Sequence, residues 1–116
     1  MVSRQFQHPT LLGLLEEKYR VHQLWEASEP EEFIKNHCQG ARAMVTDHFG
    51  ANEQLIQQFP KLKCITNFGV GFDAVAVDYA SKKCIQVTNT PDVLTDDVAD
   101  LAIGLLLSVA RSIPEG

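Results

Sequence analysis

The sequence predicts an α/β fold, with five parallel strands interleaved by helices. Short apolar segments suited to buried strands alternate with segments of helical period, and that alternation builds right-handed βαβ units whose helices cover both faces of the sheet. A length of 116 residues, 45% of them hydrophobic, suffices for one core and is too small for two. For five strands the economical order is 2-1-3-4-5, the flavodoxin-like arrangement, with one long helix left over at the C-terminal end.

Residues 1–6 supply the first strand, although they lack the apolar run of a central strand and read as a strand whose start has been removed. His8-Pro9-Thr10 opens a helix with proline in its first turn, and Leu11, Leu12, Leu14 and Leu15 give it an apolar face. Residues 21–25 form the second strand. Ser28-Glu29-Pro30-Glu31 then reads as a capping box for a helix that buries Phe33 and Ile34 and stops at Gly40. Residues 41–46 are the third strand, after which Asn52 caps a helix carrying Leu55, Ile56 and Phe59, ended by Pro60. The fourth strand, 64–66, leads through a glycine-bearing turn into a helical pattern over 74–83, and the fifth strand is 85–89.

Thr95 is placed to cap the last helix, with Asp96 and Asp97 in its first turn, where the helix dipole favours negative charge, and Pro114 at its end. At about 1.5 Å per residue this helix is roughly 28 Å long. Val98, Leu101, Ala102, Ile103, Leu105, Leu106, Leu107, Val109 and Ala110 go nearly all the way round it. A helix apolar on every side needs burial on every side, and one small sheet covers a single side. The rest calls for another partner, and a two-fold dimer with the long helices at or near the interface is the expected arrangement.

Ten basic residues against fifteen acidic ones give a formal charge of −5, which argues against general attraction to nucleic acid or to an anionic membrane surface. The N-terminal residues have no signal-peptide core, and the longest apolar segment, 98–110, is too short and interrupted to span a bilayer, so a cytoplasmic location is expected. Cys38, Cys64 and Cys84 are an odd set without C-x-x-C spacing, which suggests reduced thiols and neither a disulfide framework nor a metal site.

The chain is arranged around T-N-F-G-V-G-F-D, residues 66–73, which follows the fourth strand. Gly69 and Gly71 bare the backbone N–H groups of this turn, and because nearby side chains are acidic, a small anion would have to dock on those amides. Residues 69–72 and 90–95 lie on neighbouring strand ends and face one crevice, the place where open α/β sheets bind ligands. The same glycines and Pro91 equally suit two tight turns that need them for geometry alone, and both readings stay open on spacing. Gly69, Gly71 and Ala74, with Asp92 further on, also spell a dinucleotide fingerprint, but Asp73 would stand where the pyrophosphate belongs, and too few strands follow. His8, His22 and His37 suit surface or capping places. His48 stands beside Asp47 after the third strand, but no nucleophile with an attached base accompanies it. Asp47 also lacks the acidic pair after strand one and the lysine after strand five that a phosphoacceptor site requires, and no hydroxyl-rich loop follows strand one for a flavin phosphate.

The run V-T-N-T-P-D-V-L-T-D-D-V-A-D-L-A-I-G-L-L-L at 87–107, with N-F-G-V-G-F-D-A-V at 67–75, closely resembles the D-isomer-specific 2-hydroxyacid dehydrogenases. The wording P-D-V-L-T-D-D-V-A-D is similar to their hydroxypyruvate, glyoxylate and hydroxyphenylpyruvate reductase branch. This resemblance implies that residues 1–94 are the first part of a flavodoxin-like substrate-binding domain. Residues 95–116 would then be the helix that crosses to a separate Rossmann domain, absent from this chain. It implies hydride transfer between NAD or NADP and a small 2-oxoacid or 2-hydroxyacid. The substrate carboxylate would sit on the amides of Gly69, Val70 and Gly71, and Thr95 would lie near the nicotinamide end of the cofactor. Leu94 departs from the asparagine of formate and phosphoglycerate dehydrogenases, which weakens those substrates; Cys84 replaces a usual glycine, Ala76 a usual aspartate, and Asp100 a glutamate. The arginine, glutamate and histidine of the family fall beyond Gly116, so no catalytic residue is expected in these 116 residues. The chain alone is expected to bind neither NADH nor NADPH and to be inactive. The rival reading is a flavodoxin-like binding or assembly module without chemistry.

Overall fold

Strand β4, Cys64–Asn67, runs between β3, Ala43–Thr46, and β5, Gln86–Thr88, and both pairings are parallel. In this computed structural model, which describes residues 2–3 and 9–113, the short strands β1, Val2–Ser3, and β2, His22–Gln23, extend the sheet to the order β2-β1-β3-β4-β5. Each connection from strand to strand runs through a helix: α1, Pro9–Glu16; α2, Pro30–His37; α3, Glu53–Gln57; and α4, Val77–Lys82. Parallel neighbours cannot be joined by tight hairpins, so this alternation follows from the pairing itself.

The core sits where β3 and β4 are in register. Met44 lies opposite Ile65, both are fully buried, and Leu24, Ile34, Ile56, Phe59, Leu62 and Ile85 close around them. Each such side chain contributes roughly 1.5–3 kcal/mol on full burial. Asn52 caps α3 as its position predicts, its side-chain oxygen accepting from the Leu55 N–H at 2.9 Å.

Several boundaries differ from expectation, each for a local reason. Only His22–Gln23 pair as a strand, and Leu24–Glu26 wind into a 3-10 turn. Leu24 and Trp25 are adjacent and apolar, a strand would send them to opposite faces, and the turn brings Leu24 into the core. In α2 the capping box does not form: Pro30 is the first helical residue and Glu29 holds the cap position without a side-chain bond, which leaves Ser28 one residue too early. That helix ends at His37, where the buried Cys38 turns the chain inward, two residues before Gly40. On α1, Leu11, Leu12 and Leu15 are half-buried, whereas Leu14 falls to the side of their stripe and is 53% exposed. The expected start of this helix at His8 and the rest of the first strand lie outside the described residues. Helix α4 begins at Val77 and not at 74, because Ala51 pairs with this segment, its N–H donating to the Ala74 carbonyl and its carbonyl accepting from the Ala76 N–H.

The last helix, α5, Thr95–Ala110, carries Asp96 and Asp97 in its first turn as expected, but Leu94 and not Thr95 occupies the cap, with no side-chain cap bond. Asp92, with φ +63°, turns the chain just ahead of it, and Thr95 is already helical. Its sixteen residues make it about 24 Å long; the Pro114 stop lies outside the described residues. The larger correction concerns burial: the sheet was expected to cover one side of α5, and it covers none. The helix projects from the body, so the radius of gyration is 18.0 Å against about 13 Å for a compact domain of this length. No helix among the described residues is long and apolar enough to cross a membrane.

Candidate functional site

Parallel strands bring their carboxyl ends to one edge, and here that edge gathers the loops after β3, β4 and β5. Two polar residues end the central strands, Thr46 on β3 and Asn67 on β4, paired in register and buried at 0% and 4% exposure. Buried polar groups need partners, and the Thr46 hydroxyl and Asn67 Nδ2 find theirs in the loops. The Thr46 hydroxyl donates to the Gly50 carbonyl at 2.8 Å and the Thr46 carbonyl accepts the Phe68 N–H at 2.7 Å. Gly50 takes φ +62°, and a Cβ there would fall 2.0 Å from the Ala74 carbonyl oxygen, so only glycine fits this crossing of the β3 and β4 loops.

The residues Gly69, Val70 and Gly71 come together with the loop after β5, as their neighbouring strands require. The Gly69 carbonyl accepts the Thr90 N–H at 3.0 Å, the Val70 carbonyl accepts Asn89 Nδ2 at 2.7 Å, and the Gly71 carbonyl accepts Asn67 Nδ2 at 2.5 Å. The Gly69 N–H is occupied, donating to the Asn67 carbonyl at 3.1 Å. Those of Val70 and Gly71 have no acceptor among the described residues, and both residues are exposed. Neither Gly69 nor Gly71 has a positive φ, and an added Cβ would meet only Asn67 Nδ2 at 3.4 Å or Asp73 Oδ2 at 3.8 Å. Turn geometry therefore does not demand glycine at either position, in contrast to Gly50.

The dinucleotide fingerprint fails on placement. A pyrophosphate needs the glycines at a helix N-terminus. Here α4 starts at Val77 behind an uncapped Ala76, is six residues long, and carries Asp78 in its first turn. Asp73 itself lies in the loop, four residues ahead of that helix, so its expected place at the helix start is corrected. The glycine loop therefore offers no helix N-terminus to a pyrophosphate.

Thr95, exposed in the first turn of α5, follows directly from the β5 loop. Asp47 and His48 are 3.4 Å apart, but Asp47 is engaged in its own loop, accepting the Phe49 N–H at 3.0 Å, and the exposed His48 ring lies 4.2 Å from that of Phe49. His22 and His37 line a cleft of about 660 Å³ with Glu26, Glu29 and Glu32. Both rings pack on Phe33, at 6.2 and 5.0 Å, and burial first, with nearby positive charge including that of Arg20, holds His22 below its ordinary pKa. Cys38 is pushed up by burial. No group of three or more potential metal ligands occurs among the described residues. Sequence reasoning missed Gly50, Thr46, Asn67 and Asn89; the available signal was a polar residue closing each apolar strand at the ligand edge.

The family profile of the D-isomer specific 2-hydroxyacid dehydrogenase catalytic domain matches residues 1–110. A hydroxyphenylpyruvate reductase of Plectranthus scutellarioides is 42% identical over 102 residues, which are 87% of this chain and 33% of the relative. A glyoxylate/hydroxypyruvate reductase of Arabidopsis thaliana is 41% identical over the same shares. Among solved structures, a 2-hydroxyacid dehydrogenase from Ketogulonicigenium vulgare Y25 superposes with TM-score 0.85 at 38% identity, over 97% of this chain and 36% of that one. An NADPH-dependent glyoxylate/hydroxypyruvate reductase from Sinorhizobium meliloti, in complex with NADP and malonate, gives 0.78 at 35% identity, over 92% and 33%. The chain thus spans about a third of the length of the curated relatives it matches. With strand order, loop placement and these similarities in agreement, the chain belongs to the D-isomer specific 2-hydroxyacid dehydrogenases and corresponds to part of their catalytic domain.

Proposed function

We propose that these residues are the substrate-binding portion of an NAD(P)H-dependent 2-oxoacid reductase acting on a hydroxypyruvate- or glyoxylate-like substrate. Residues 1–94 form the flavodoxin-like body, and residues 95–116 lead toward a nucleotide-binding domain. The loop of Gly69, Val70 and Gly71 receives the substrate carboxylate, with the unpaired N–H groups of Val70 and Gly71 as its donors. The observation that carries this reading is that two glycines stand at an exposed strand end where neither φ nor packing requires them. What their bareness leaves is room for close approach to the backbone. NAD or NADP supplies the hydride in this reading, and since the glycine loop presents no helix N-terminus to a pyrophosphate, Thr95 is the residue taken to lie near that cofactor, at its nicotinamide end. The 116 residues alone bind neither NADH nor NADPH and do not catalyse. Helix α5 associates the chain as a homodimer, because seven large apolar side chains on it are more than half exposed.

The test is Gly71→Val, which the loop tolerates and the ligand should not. Titration of the chain with glyoxylate, followed by amide NMR, is expected to give weak saturable binding that falls at least about tenfold in the variant, a loss of about 1.4 kcal/mol. The melting temperature should not move. Equal affinity in both chains would remove the carboxylate from this loop.

A further inference from the structure

A trans peptide unit points its C=O and the following N–H in opposite directions. Three consecutive carbonyls of the glycine loop are each tied to the protein, that of Gly69 by the Thr90 N–H, that of Val70 by Asn89 Nδ2 and that of Gly71 by Asn67 Nδ2. Each bond therefore turns the next N–H away from the atoms that hold it. The groups so exposed belong to Val70, Gly71 and Phe72, and none of them has an acceptor among the described residues. The Gly69 N–H is excluded, because the Asn67 carbonyl already takes it.

Resting on the carboxylate reading above, we infer that Asn67 and Asn89 are positioning residues that clamp the loop so that Phe72, and not Gly69, supplies its third anion-binding amide. Each asparagine acts through one peptide. Asn89 orients the Gly71 N–H by holding the Val70 carbonyl, and Asn67 orients the Phe72 N–H by holding the Gly71 carbonyl. The side-chain amides must present nitrogen here, since a rotated amide would set oxygen against carbonyl oxygen. Asn67 is 4% exposed and its Oδ1 has no partner among the described residues, so its place in the clamp rests on Nδ2. Neither asparagine needs to touch the substrate. Their joint effect is to fix donors before the ligand arrives, which removes the ordering cost of binding.

The experiment is an amide NMR titration of the full chain with glyoxylate, repeated in Asn89→Ala, whose side chain is part-exposed, and in Asn67→Ala. In the wild type the Val70, Gly71 and Phe72 resonances should shift saturably and the Gly69 resonance should stay nearly still. Asn89→Ala should weaken binding about tenfold and reduce the saturating shift most at Gly71; Asn67→Ala should reduce it most at Phe72. A change that merely loosened the fold would dull all loop resonances alike. If Asn67→Ala does not fold, the Asn89→Ala pattern decides. Shifts at Gly69 in place of Phe72, or undiminished binding in Asn89→Ala, overturn the clamp while leaving the carboxylate reading intact. No glyoxylate response at any loop amide overturns both.

Discussion

Helix α5 and the central strands are built from the same kind of side chain and meet opposite fates. In β3 and β4, Met44 and Ile65 are 0% exposed. On α5 the large apolar residues from Val98 to Val109 are 56% to 74% exposed. The strands have parallel neighbours on both sides and helices packed over them, so every apolar side chain added to them finds a wall. Past Leu94 the helix leaves the edge of the sheet and meets none. Burial is therefore a property of what surrounds a segment and cannot be assigned from its hydrophobicity. A lone helix of sixteen residues is marginal in water, so packing against another surface would steady α5 as well as bury it.

The sharpest way to break this contrast is one truncation in each region. Ile65→Ala should cost about 2–5 kcal/mol in urea unfolding, because it opens a cavity where the sheet is already packed. Leu106→Ala should cost less than about 0.5 kcal/mol in a dilute monomer. At high micromolar concentration the roles change. Sedimentation should show the wild type as a dimer and Leu106→Glu as a monomer. A wild type that remains a well-folded monomer there would mean that α5 serves no self-association, and a large cost for Leu106→Ala would mean that the body covers it after all.

A second pair of substitutions should carry opposite signs. Gly50→Ala places a side chain at φ +62° and against the Ala74 carbonyl, at a crossing both loops share. A loss of about 2 kcal/mol or more is expected from the left-handed backbone and the clash together. Gly104, inside α5, has nothing within 4 Å of an added Cβ. There Gly104→Ala should stabilise the helix by up to about 1 kcal/mol, read as slower amide exchange across α5. If Gly104→Ala is instead harmful at high concentration, glycine serves close approach of a partner helix.

Much of this was open to reading in the residues and some was not. The alternation of strands and helices, the Asn52 cap and the apolar girth of α5 were legible because they are local patterns of side-chain chemistry. The capping box at Ser28 and the cap at Thr95 misled because a neighbour, Pro30 in one case and the left-handed Asp92 in the other, moved the cap by one residue. At the candidate site the glycines were legible as an exposed loop, but which amides stay free was not. That depends on Asn67, Asn89 and Thr90, which sit up to 21 positions from the carbonyls they hold. A pattern of spacing carries no information about a bond closed across a sheet edge. Gly50 was missed for the same reason, since its constraint comes from Ala74, in the next loop.

The smallest expected effect separates the two regions by pH. His22 lies half-buried in the edge strand β2, edge-on to Phe33, and burial, helped by nearby positive charge including that of Arg20, keeps its pKa below the ordinary value. Unfolded chains take up that proton near pH 6.5. Between the two values the unfolded state binds more protons than the folded one, so stability falls as pH falls. The contribution is fully present above about pH 6.5 and is lost as pH drops through the folded-state value. Helix α5 has no histidine. The melting temperature of the body should therefore decline modestly from pH 7.5 to pH 5.5, with a shallower decline in His22→Gln, while the association of α5 measured by sedimentation stays level. An equal decline in His22→Gln would place the titrating group elsewhere. A pH-dependent dimer would show that the body and not the helix alone forms the contact, and would redraw the division between the two regions.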